Sequence, residues 1–290
     1  MKLIPMKPLL INARGSGYAL GAFTFWSLDS AQAITLAAQK LDMPVILQGG
    51  QIEAEHAGGY DKMYMIASSV AGDIDIPIAL NLDHAGSFEQ VKQAIEAGFT
   101  SVMIDASQCS FEENVEQTCR VVELAHRFGI TVESELGILA GTEGKLSVNE
   151  SEALQTKPED ALRFIKETKI DALAVAIGTA HGFYKFKPEI NIKRLKEIAM
   201  VVKEPLVLHG GSGTPEDKVV EAIECGIAKV NICTEFVAAF GKSFMETQNS
   251  EGFKYSVPNL FTKAKQSGYE LVLEKIKLFA NDRDGRQRSI

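Results

Sequence analysis

Short apolar runs alternate with longer segments of helical periodicity along most of the chain. Each run is bounded by glycine, proline or a polar residue, which is typical of buried parallel strands. The segment after each run places its apolar residues on one helical face, so the repeating unit is a strand followed by a helix. The predicted strands are Tyr18 to Phe23, Pro44 to Leu47, Pro77 to Asp83, Thr100 to Asp105, Thr131 to Glu135, Ala172 to Ile177, Pro205 to His209 and Lys229 to Ile232.

Local signals at the segment ends support the predicted helices. The segment from Phe88 to Ala97 is followed by Gly98, a residue that commonly ends helices, and Phe111 to Phe128 shows the same apolar face. Pro215 to Cys225 is preceded by Thr214 as a predicted N-cap and has acidic residues in its first turn. The tail is predicted to add two helices, Phe236 to Thr247 and Tyr269 to Phe279, before a charged end at Asn281 to Ile290.

Eight strand and helix units favour a (β/α)8 TIM barrel with extra C-terminal helices, built as one domain over residues 1–290. An open doubly wound sheet has the same local pattern, so periodicity alone leaves that alternative open. The segment from Ile138 to Pro158 interrupts the alternation of strands and helices with glycines and polar residues. It is too long for a simple connection. This segment is predicted to be a mobile functional loop.

Composition and charge narrow the class of protein. The chain is 46% hydrophobic and 23% charged, which is enough apolar material for a large core. The net charge of −8 argues against a general binder of nucleic acid or anionic membranes, since either partner requires a basic face. The four cysteines show no CxxC spacing, and no signal peptide or membrane span is evident. We therefore expect a soluble cytoplasmic protein.

Three of the five histidines are predicted to lie at the same rim of the barrel. His84 follows the third strand, His181 lies a few residues after the sixth, and His209 ends the seventh. Parallel barrel strands direct their carboxyl ends to the face where active sites form, so these side chains are expected to converge. Three imidazoles with an open fourth position match a catalytic zinc site, and Glu135 on the fifth strand is a further candidate ligand.

Acidic and glycine residues flank these histidines. Asp83 precedes the first of them, and strand alternation directs its carboxylate toward the mouth of the barrel. Glycines follow the other two, in Ala180 to Gly182 and in His209 to Gly213, where backbone amides can approach an anion closely. The helix near Pro215 adds its positive end, and Asn231 to Thr234 forms the loop after the last strand. These features predict a phosphate site beside the metal.

The same segments resemble the class II ketose-bisphosphate aldolases, the family that includes fructose- and tagatose-bisphosphate aldolases. The similarity covers nearly the whole chain, and the matching segments follow the order of the family. They are Gly21-Ala22-Phe23, Leu82-Asp83-His84, Ser101-Val102-Met103-Ile104-Asp105, Phe111-Glu112-Glu113-Asn114, Val132-Glu133-Ser134-Glu135-Leu136-Gly137, Ala174-Val175-Ala176-Ile177-Gly178-Thr179-Ala180-His181-Gly182, Pro205-Leu206-Val207-Leu208-His209-Gly210-Gly211-Ser212-Gly213 and Lys229-Val230-Asn231-Ile232.

The resemblance implies a role for each matching position. It implies zinc on His84, His181 and His209, with Glu135 as an additional metal-associated carboxylate. The implied contacts to dihydroxyacetone phosphate are Gly182, Gly210, Gly211, Ser212, Asn231, Cys233 and Thr234. A monovalent cation such as Na⁺ or K⁺ beside the zinc, a homodimer or homotetramer, and a place in carbohydrate metabolism such as glycolysis are also expected.

The expected chemistry agrees with these residue types. Breaking the C3 to C4 bond of a ketose 1,6-bisphosphate leaves an electron pair that must pass to the C2 carbonyl, and zinc accepts that charge as a Lewis acid. Asp83 matches the family's proton donor to the aldehyde oxygen, and Glu143 matches the carboxylate that moves the C3 proton. The expected products are dihydroxyacetone phosphate and glyceraldehyde 3-phosphate.

Departures from the family pattern lie around the substrate and spare the metal ligands. Thr24, Ser27 and Asp29 follow the first strand where two asparagines and a glutamate are usual, Gly144 replaces an acidic residue, and Cys233 replaces serine, aspartate or asparagine. They predict an altered sugar specificity. An aldolase for another phosphorylated ketose or another acceptor aldehyde is therefore the first competing hypothesis.

Proteins with a different chemistry are also compatible with parts of the pattern. A paralogue that binds sugar phosphates without cleaving them is compatible with the same departures. A Schiff-base aldolase has Lys229 as its candidate, although this lysine starts the last strand, far from the catalytic rim. A metal hydrolase on this fold usually has an HxH pair on an early strand, which this chain lacks.

Overall fold

The computed structural model describes the backbone of residues 3–143, 146–148, 154–182, 188–251 and 257–281, and side chains in the same ranges except 140–148 and 250–251. The strands are β1 (Leu20–Thr24), β2 (Val45–Gly49), β3 (Ile78–Ala85), β4 (Ser101–Ile104), β5 (Thr131–Leu136), β6 (Ala140–Glu143), β7 (Leu146–Val148), β8 (Ala172–Val175), β9 (Ala180–His181), β10 (Leu206–Leu208) and β11 (Ile227–Ile232). Eight of them form a closed parallel barrel in the order β1-β11-β10-β8-β5-β4-β3-β2. The predicted TIM barrel is confirmed, and the open sheet is excluded.

Helices surround the barrel and extend it at the C-terminal end. They are α1 (Met6–Ser16), α2 (Leu28–Lys40), α3 (Gln51–Ala57), α4 (Tyr60–Gly72), α5 (Phe88–Ala97), α6 (Phe111–His126), α7 (Pro158–Thr168), α8 (Ile192–Val201), α9 (Glu216–Glu224), α10 (Thr234–Glu251) and α11 (Val257–Phe279). The apolar faces of the helices pack on the outer faces of the strands. In the described ranges, no helix is long and apolar enough to cross a membrane.

Helix α1 closes the amino-terminal end of the barrel. Met6 and Leu10 are fully buried against alanines and other apolar residues inside the barrel. The backbone N–H of Met6 donates to Ser101 Oγ at 3.1 Å, and that of Lys7 donates to Thr131 Oγ1 at 3.0 Å. Because Ser101 and Thr131 begin β4 and β5, α1 lies across the end opposite the three histidines.

The segment from Ile138 to Pro158, predicted as a mobile functional loop, contains regular strand pairing in its first half. Strands β6 and β7 form an antiparallel pair there, and β6 also pairs in parallel with β9, with Gly141 opposite His181. At the base of this hairpin Ile138 and Leu154 form an antiparallel bridge. The partner strand is distant in sequence, so local composition could not reveal the pairing.

Several helix ends differ from prediction. Helix α6 ends at His126, before the predicted Phe128, and α11 begins at Val257 instead of Tyr269. Helix α9 begins at Glu216 with Pro215 as its N-cap, because the Thr214 hydroxyl donates to the Gly210 carbonyl instead of capping the helix. Such shifts of a turn or less are usual at helix ends, whereas the early start of α11 reflects its packing against α10.

Candidate active site

The first predicted metal ligand, His84, lies at the carboxyl end of β3 in a left-handed backbone conformation. Its φ is 44°, and the register between β3 and β4 shifts between Leu82 and Ala85. This local irregularity lets Asp83 and His84 both contribute to the barrel mouth, although neighbours in a regular strand point to opposite faces. The Nδ1 atom of His84 lies 2.8 Å from Asp105 Oδ2.

The three predicted metal-binding imidazoles converge at one point. Ring centroids are 5.0 Å apart for His84 and His181, 4.6 Å for His84 and His209, and 5.9 Å for His181 and His209. One ring nitrogen from each lies within 4.8 Å of the others, which is close enough to hold a metal ion. The sequence therefore predicted correctly that these distant segments meet.

A pair of carboxylates lies beside the three imidazoles. Asp105 and Glu135, together with His84, form another group of potential ligands whose atoms lie within 4.8 Å of one another. Burial raises the pKa of Glu135, and the charge of Asp105 raises it further, whereas His209 opposes this shift. Burial also opposes ionisation of Asp105, but the hydrogen bond and charge of His84 hold its pKa well below the usual range. The two carboxylates thus differ strongly in proton affinity.

His209 belongs to a fully buried chain of charged groups. Its Nε2 lies 2.8 Å from Glu133 Oε1, and Glu133 Oε2 lies 2.8 Å from Lys229 Nζ. Burial raises the pKa of Glu133, but Lys229 and His209 outweigh it and lower this pKa to about 2. Burial lowers the pKa of His209, whereas contacts with Glu133 and Glu135 raise it to about 9. Without metal, His209 is therefore protonated at pH 7.

His181 differs from His209 in its charge environment. Burial lowers its pKa well below the ordinary value, and the charges of His84 and His209 lower it further. Its imidazole is neutral at pH 7 and can donate a lone pair without first losing a proton.

Two buried polar atoms at the centre of the cluster fit a metal ion. His209 Nδ1 and Glu135 Oε2 form an ion pair at 3.1 Å, and neither atom has a further hydrogen-bond partner among the described residues. Buried polar atoms without partners are costly, and a bound cation removes that cost when the atoms are ligands. The nitrogen and oxygen donors here suit zinc.

Asp83 is held at the mouth by two amide side chains. Its Oδ2 accepts a hydrogen bond from Gln48 Nε2 at 2.9 Å, and its Oδ1 accepts one from Asn231 Nδ2 at 3.3 Å. Both donors are neutral, so they orient the carboxylate without neutralising its charge. The carbonyl oxygens of Gln48 and Asn231 are buried without partners in the described residues, and they add polar atoms available to a ligand.

A glycine-containing cleft lies next to the histidines. Six of the seven predicted substrate contacts line it, and they are Gly182, Gly210, Ser212, Asn231, Cys233 and Thr234. Gly211 is the exception, because its N–H donates to the Asn231 carbonyl at 3.2 Å. A side chain at this position would also press against Val230 and the Asn231 backbone. Gly211 therefore maintains the turn and does not face the cleft.

The second predicted catalytic carboxylate, Glu143, ends β6, and its side chain lies outside the described residues. Its backbone is nevertheless placed by pairing, since Gly141 lies opposite His181 in the β6 and β9 pair. Gly144, one of the sequence departures, also lies outside the described residues.

Two of the remaining departures contribute to structure. Ser27 caps α2, where its hydroxyl accepts the Ser30 N–H at 3.3 Å. Thr24 is buried in β1 and pairs with Gln48 of β2. Thr24 therefore lies next to Gln48, which lines the cleft.

Sequence reasoning missed Gln48, Asp105 and Glu133 as parts of the site. Glu133 was detectable, because alternation along β5 places it on the same face as Glu135. The Gln48 contact with Asp83 and the Asp105 contact with His84 each join adjacent strands. Their detection requires the strand register, which the sequence alone does not provide.

The Schiff-base hypothesis does not fit the position of Lys229. Its side chain is fully buried in the barrel interior, with Nζ paired to Glu133, and Lys229 is not among the residues that line the cleft. A nucleophilic lysine must reach the substrate carbonyl.

Comparison with known proteins assigns the family. The family model described as fructose-bisphosphate aldolase class-II matches residues 4–284. The chain belongs to this aldolase family. The aldolase is 41% identical over 284 residues to a Staphylococcus aureus protein named fructose-bisphosphate aldolase, covering 96% of this chain and 98% of the relative. It is 37% identical over 286 residues to a sulfofructosephosphate aldolase of Alkalicoccus urumqiensis, covering 99% of each chain.

Solved structures agree with this assignment. The YdjI aldolase from Escherichia coli K12 superposes with a TM-score of 0.84 at 32% identity, covering 98% of this chain and all of that one. A fungal protein from Coccidioides immitis, described as a putative fructose-1,6-biphosphate aldolase, gives a TM-score of 0.85 at 28% identity, covering 94% of this chain and 95% of that one. The aldolase is therefore a carbon-carbon lyase of a family that acts on sugar phosphates.

Proposed function

We propose that the protein is a zinc-dependent aldolase that reversibly cleaves a ketose 1,6-bisphosphate of the fructose or tagatose type. The products are dihydroxyacetone phosphate and glyceraldehyde 3-phosphate. The observation that carries the proposal is the convergence of His84, His181 and His209 beside Asp83 and the cleft. A simple binding protein has no need for a proton acceptor beside metal ligands and an anion site, and a metal hydrolase on this fold usually has an HxH pair on an early strand, where this chain has Asn81.

The metal has a defined set of ligands in this proposal. His84, His181 and His209 would hold the zinc, with Glu135 as an additional carboxylate close enough to bind it. When bound, the zinc would supply a Lewis acid that accepts the charge developing on the substrate carbonyl. The close approach of the buried atoms His209 Nδ1 and Glu135 Oε2, which have no further hydrogen-bond partner among the described residues, supports this assignment. A monovalent cation, Na⁺ or K⁺, that accompanies the zinc is a further part of the proposal.

Asp83 performs the first proton transfer in the cleavage direction. It removes the proton of the C4 hydroxyl, the C3 to C4 bond breaks, and the C4 oxygen becomes the aldehyde carbonyl. The bonding electron pair remains with the three-carbon fragment, delocalised over C3 and the C2 carbonyl. In condensation, Asp83 returns the proton to the aldehyde oxygen. The amides of Gln48 and Asn231 support this role by aiming the carboxylate into the cleft.

Glu143 performs the second proton transfer, at C3. It protonates this carbon after cleavage and releases dihydroxyacetone phosphate, and it removes the same proton before condensation. Support comes from the backbone, because β6 carries Glu143 and pairs with the strand that contains His181.

The cleft binds the phosphate of dihydroxyacetone phosphate. Gly182 and Gly210 have positive φ angles of 90° and 66°, and the open space where Gly182 lacks a side chain lets a phosphate approach that loop. Ser212, Asn231 and Thr234 supply polar groups, and Thr234 begins α10, whose amino-terminal end favours an anion.

A second candidate is an aldolase for another phosphorylated ketose. Two observations favour it, namely Thr24 and Cys233 at positions near the cleft and the sulfofructosephosphate aldolase among the relatives. Such a substrate shares the dihydroxyacetone phosphate half, so the zinc site and Asp83 keep the same roles.

Cleavage assays over a substrate panel test both candidates. Zinc-loaded protein is assayed by coupled detection of dihydroxyacetone phosphate with fructose 1,6-bisphosphate, tagatose 1,6-bisphosphate and sulfofructose 1-phosphate. We expect the highest kcat/KM with one of the two bisphosphates, and loss of activity in His84→Ala. High turnover of the sulfonated ketose alone selects the second candidate. No cleavage of any phosphorylated ketose by zinc-replete protein contradicts both.

A further inference from the structure

Lys229 contacts the metal site through Glu133 and not directly. The three side chains of Lys229, Glu133 and His209 are all fully buried and form a linear series with two contacts of 2.8 Å. They connect β11, β5 and the residue that follows β10 across the barrel interior. The far end of the series is His209 Nδ1, the nitrogen that faces Glu135 and the proposed zinc.

The donor and acceptor types of these groups fix the direction of the hydrogen bonds. A lysine ammonium only donates, and a carboxylate only accepts. Glu133 therefore accepts from Lys229 with one oxygen and from His209 Nε2 with the other. A proton on Nε2 leaves the lone pair of the neutral ring on Nδ1.

We propose that Lys229 is a positioning residue that fixes the tautomer of His209 through Glu133, so that Nδ1 is presented to the metal. This inference rests on the proposed zinc site. Ligating histidines are commonly oriented by a carboxylate on their other nitrogen. Here Lys229 requires an oxygen atom of residue 133 on its own side, and this determines which atom of residue 133 faces His209.

The neutral variant Glu133→Gln should bind zinc weakly because of Lys229. A glutamine offers one oxygen and one NH₂ group, and Lys229 can pair only with the oxygen. The NH₂ group then faces His209 Nε2, which must accept a hydrogen bond. The ring proton moves to Nδ1, and His209 loses its metal-binding lone pair. Zinc affinity is expected to fall by about 100-fold, the upper end of the usual effect of such outer-shell changes.

Removing the lysine as well should restore binding. In the double variant Glu133→Gln, Lys229→Met the glutamine is free to turn its oxygen toward Nε2, and Nδ1 regains its lone pair. We expect zinc affinity at least about tenfold higher than in Glu133→Gln alone. A purely structural role for Lys229 predicts the opposite, because losses of packing and pairing accumulate.

The test measures zinc affinity by competition with a chromophoric chelator and the visible spectrum of the Co²⁺ form, for the parent and both variants. Recovery in the double variant, with a Co²⁺ spectrum closer to the parent, supports the proposal. Equal or weaker zinc binding in the double variant than in Glu133→Gln overturns it. Lys275→Met is the matched control, since Lys275 is also buried and pairs with Glu235 at 2.9 Å, and its zinc affinity should equal that of the parent.

A measurement on the parent protein keeps the proposal testable if Glu133→Gln does not fold. Nitrogen-15 NMR of histidine-labelled, zinc-loaded protein should place the His209 ring proton on Nε2, and a proton on Nδ1 overturns the inference. Failure of the parent to bind zinc, or zinc affinity that is unchanged in His84→Ala, instead contradicts the proposed zinc site itself. The two failures are therefore distinguishable.

Discussion

Asp83 and Glu133 are both buried carboxylates inside the barrel, but their neighbours give them different roles. Glu133 contacts the ammonium of Lys229 and the imidazole of His209, so both of its oxygens are occupied by these two groups. Asp83 accepts hydrogen bonds only from neutral amides among its described contacts, those of Gln48 and Asn231. A carboxylate held in this way keeps the capacity to take a proton from a substrate hydroxyl.

Replacement of Asp83 by asparagine should stop proton transfer and leave the metal in place. We expect kcat to fall by roughly 10²- to 10⁴-fold, the usual contribution of a general acid or base, with zinc content unchanged. Steady-state kinetics and metal analysis measure the two effects.

Asp171→Asn is the control for the loss of a buried aspartate. Asp171 is similarly buried, but it pairs with Lys7 and His126, next to α1 and far from the mouth. Its kcat should stay near that of the parent. Comparable kcat losses in both variants contradict a chemical role for Asp83.

Zinc binding should release protons in a pH-dependent manner. The pKa of His209 in the metal-free protein is raised to about 9, so this ring is protonated at pH 7 and must lose a proton to bind zinc. His181, with its lowered pKa, releases none. Apparent zinc affinity should therefore rise from pH 7 to about 9, where the contribution of His209 ends.

Isothermal titration calorimetry in buffers of different ionisation enthalpy measures this proton release. At pH 7 we expect at least about one proton per zinc, and a smaller number above the pKa of His209. Release of no proton at pH 7 contradicts the assignment of His209 as a ligand.

Among the structural elements, the cleft depends on turns that bring the loops after the barrel strands together. Gly210 has a φ of 66°, and a side chain there would fall on the Ala180 carbonyl of β9. This contact joins the loop that follows β10 to the strand that carries His181. The third metal ligand and the phosphate cleft are therefore built on one packed turn.

Gly210→Ala should destabilise the fold and weaken phosphate binding. The left-handed backbone alone costs about 1–2 kcal/mol for a residue with a Cβ, and the clash adds to it. We expect a lower free energy of unfolding in urea and a higher KM for the ketose phosphate. Gly241→Ala is the matched control, since Gly241 is exposed in α10 with open space around its Cα and should become more stable by roughly 0.5–1 kcal/mol. A KM unchanged in Gly210→Ala contradicts the role of this turn.

The barrel strands were predictable from sequence because each is an apolar run with clear breaks. The convergence of the three histidines was predictable for the same reason, since strand ends in a parallel barrel share one rim. Helix α1 was not predicted, because its apolar residues fill the barrel end and its first backbone N–H groups donate to serine and threonine side chains that are distant in sequence. The β6 and β7 hairpin was also missed, because its pairing partner β9 lies far along the chain.

The groups around the ligands were the least predictable part of the site. Asp105 and Glu133 lie in segments that match the family, but the contacts of Asp105, Gln48 and Glu133 are made with a neighbouring strand or an opposite wall of the barrel. Lys229 was considered as a nucleophile because a lysine on a barrel strand can form a Schiff base with a carbonyl substrate. Its burial against Glu133 could be known only from the closed barrel.

Across the whole molecule, the closed barrel determines how the three imidazoles meet. His84 lies on β3 and His209 follows β10, two strands that are not neighbours in the barrel, whereas His181 lies on β9, outside the barrel strands. Helix α1 closes the opposite end, so the polar interior is accessible from the mouth that contains the cleft. The expected homodimer or homotetramer remains a prediction, testable by light scattering of the purified protein.

Anomalous X-ray diffraction from crystals of the zinc-loaded protein, measured above and below the zinc absorption edge, is the sharpest test of the three-histidine site. We predict one strong anomalous peak at the barrel mouth, about 2.0–2.1 Å from a ring nitrogen of each of the three histidines. The His209 nitrogen should be Nδ1. A zinc peak elsewhere, with these three rings unligated, is incompatible with the proposed chemistry.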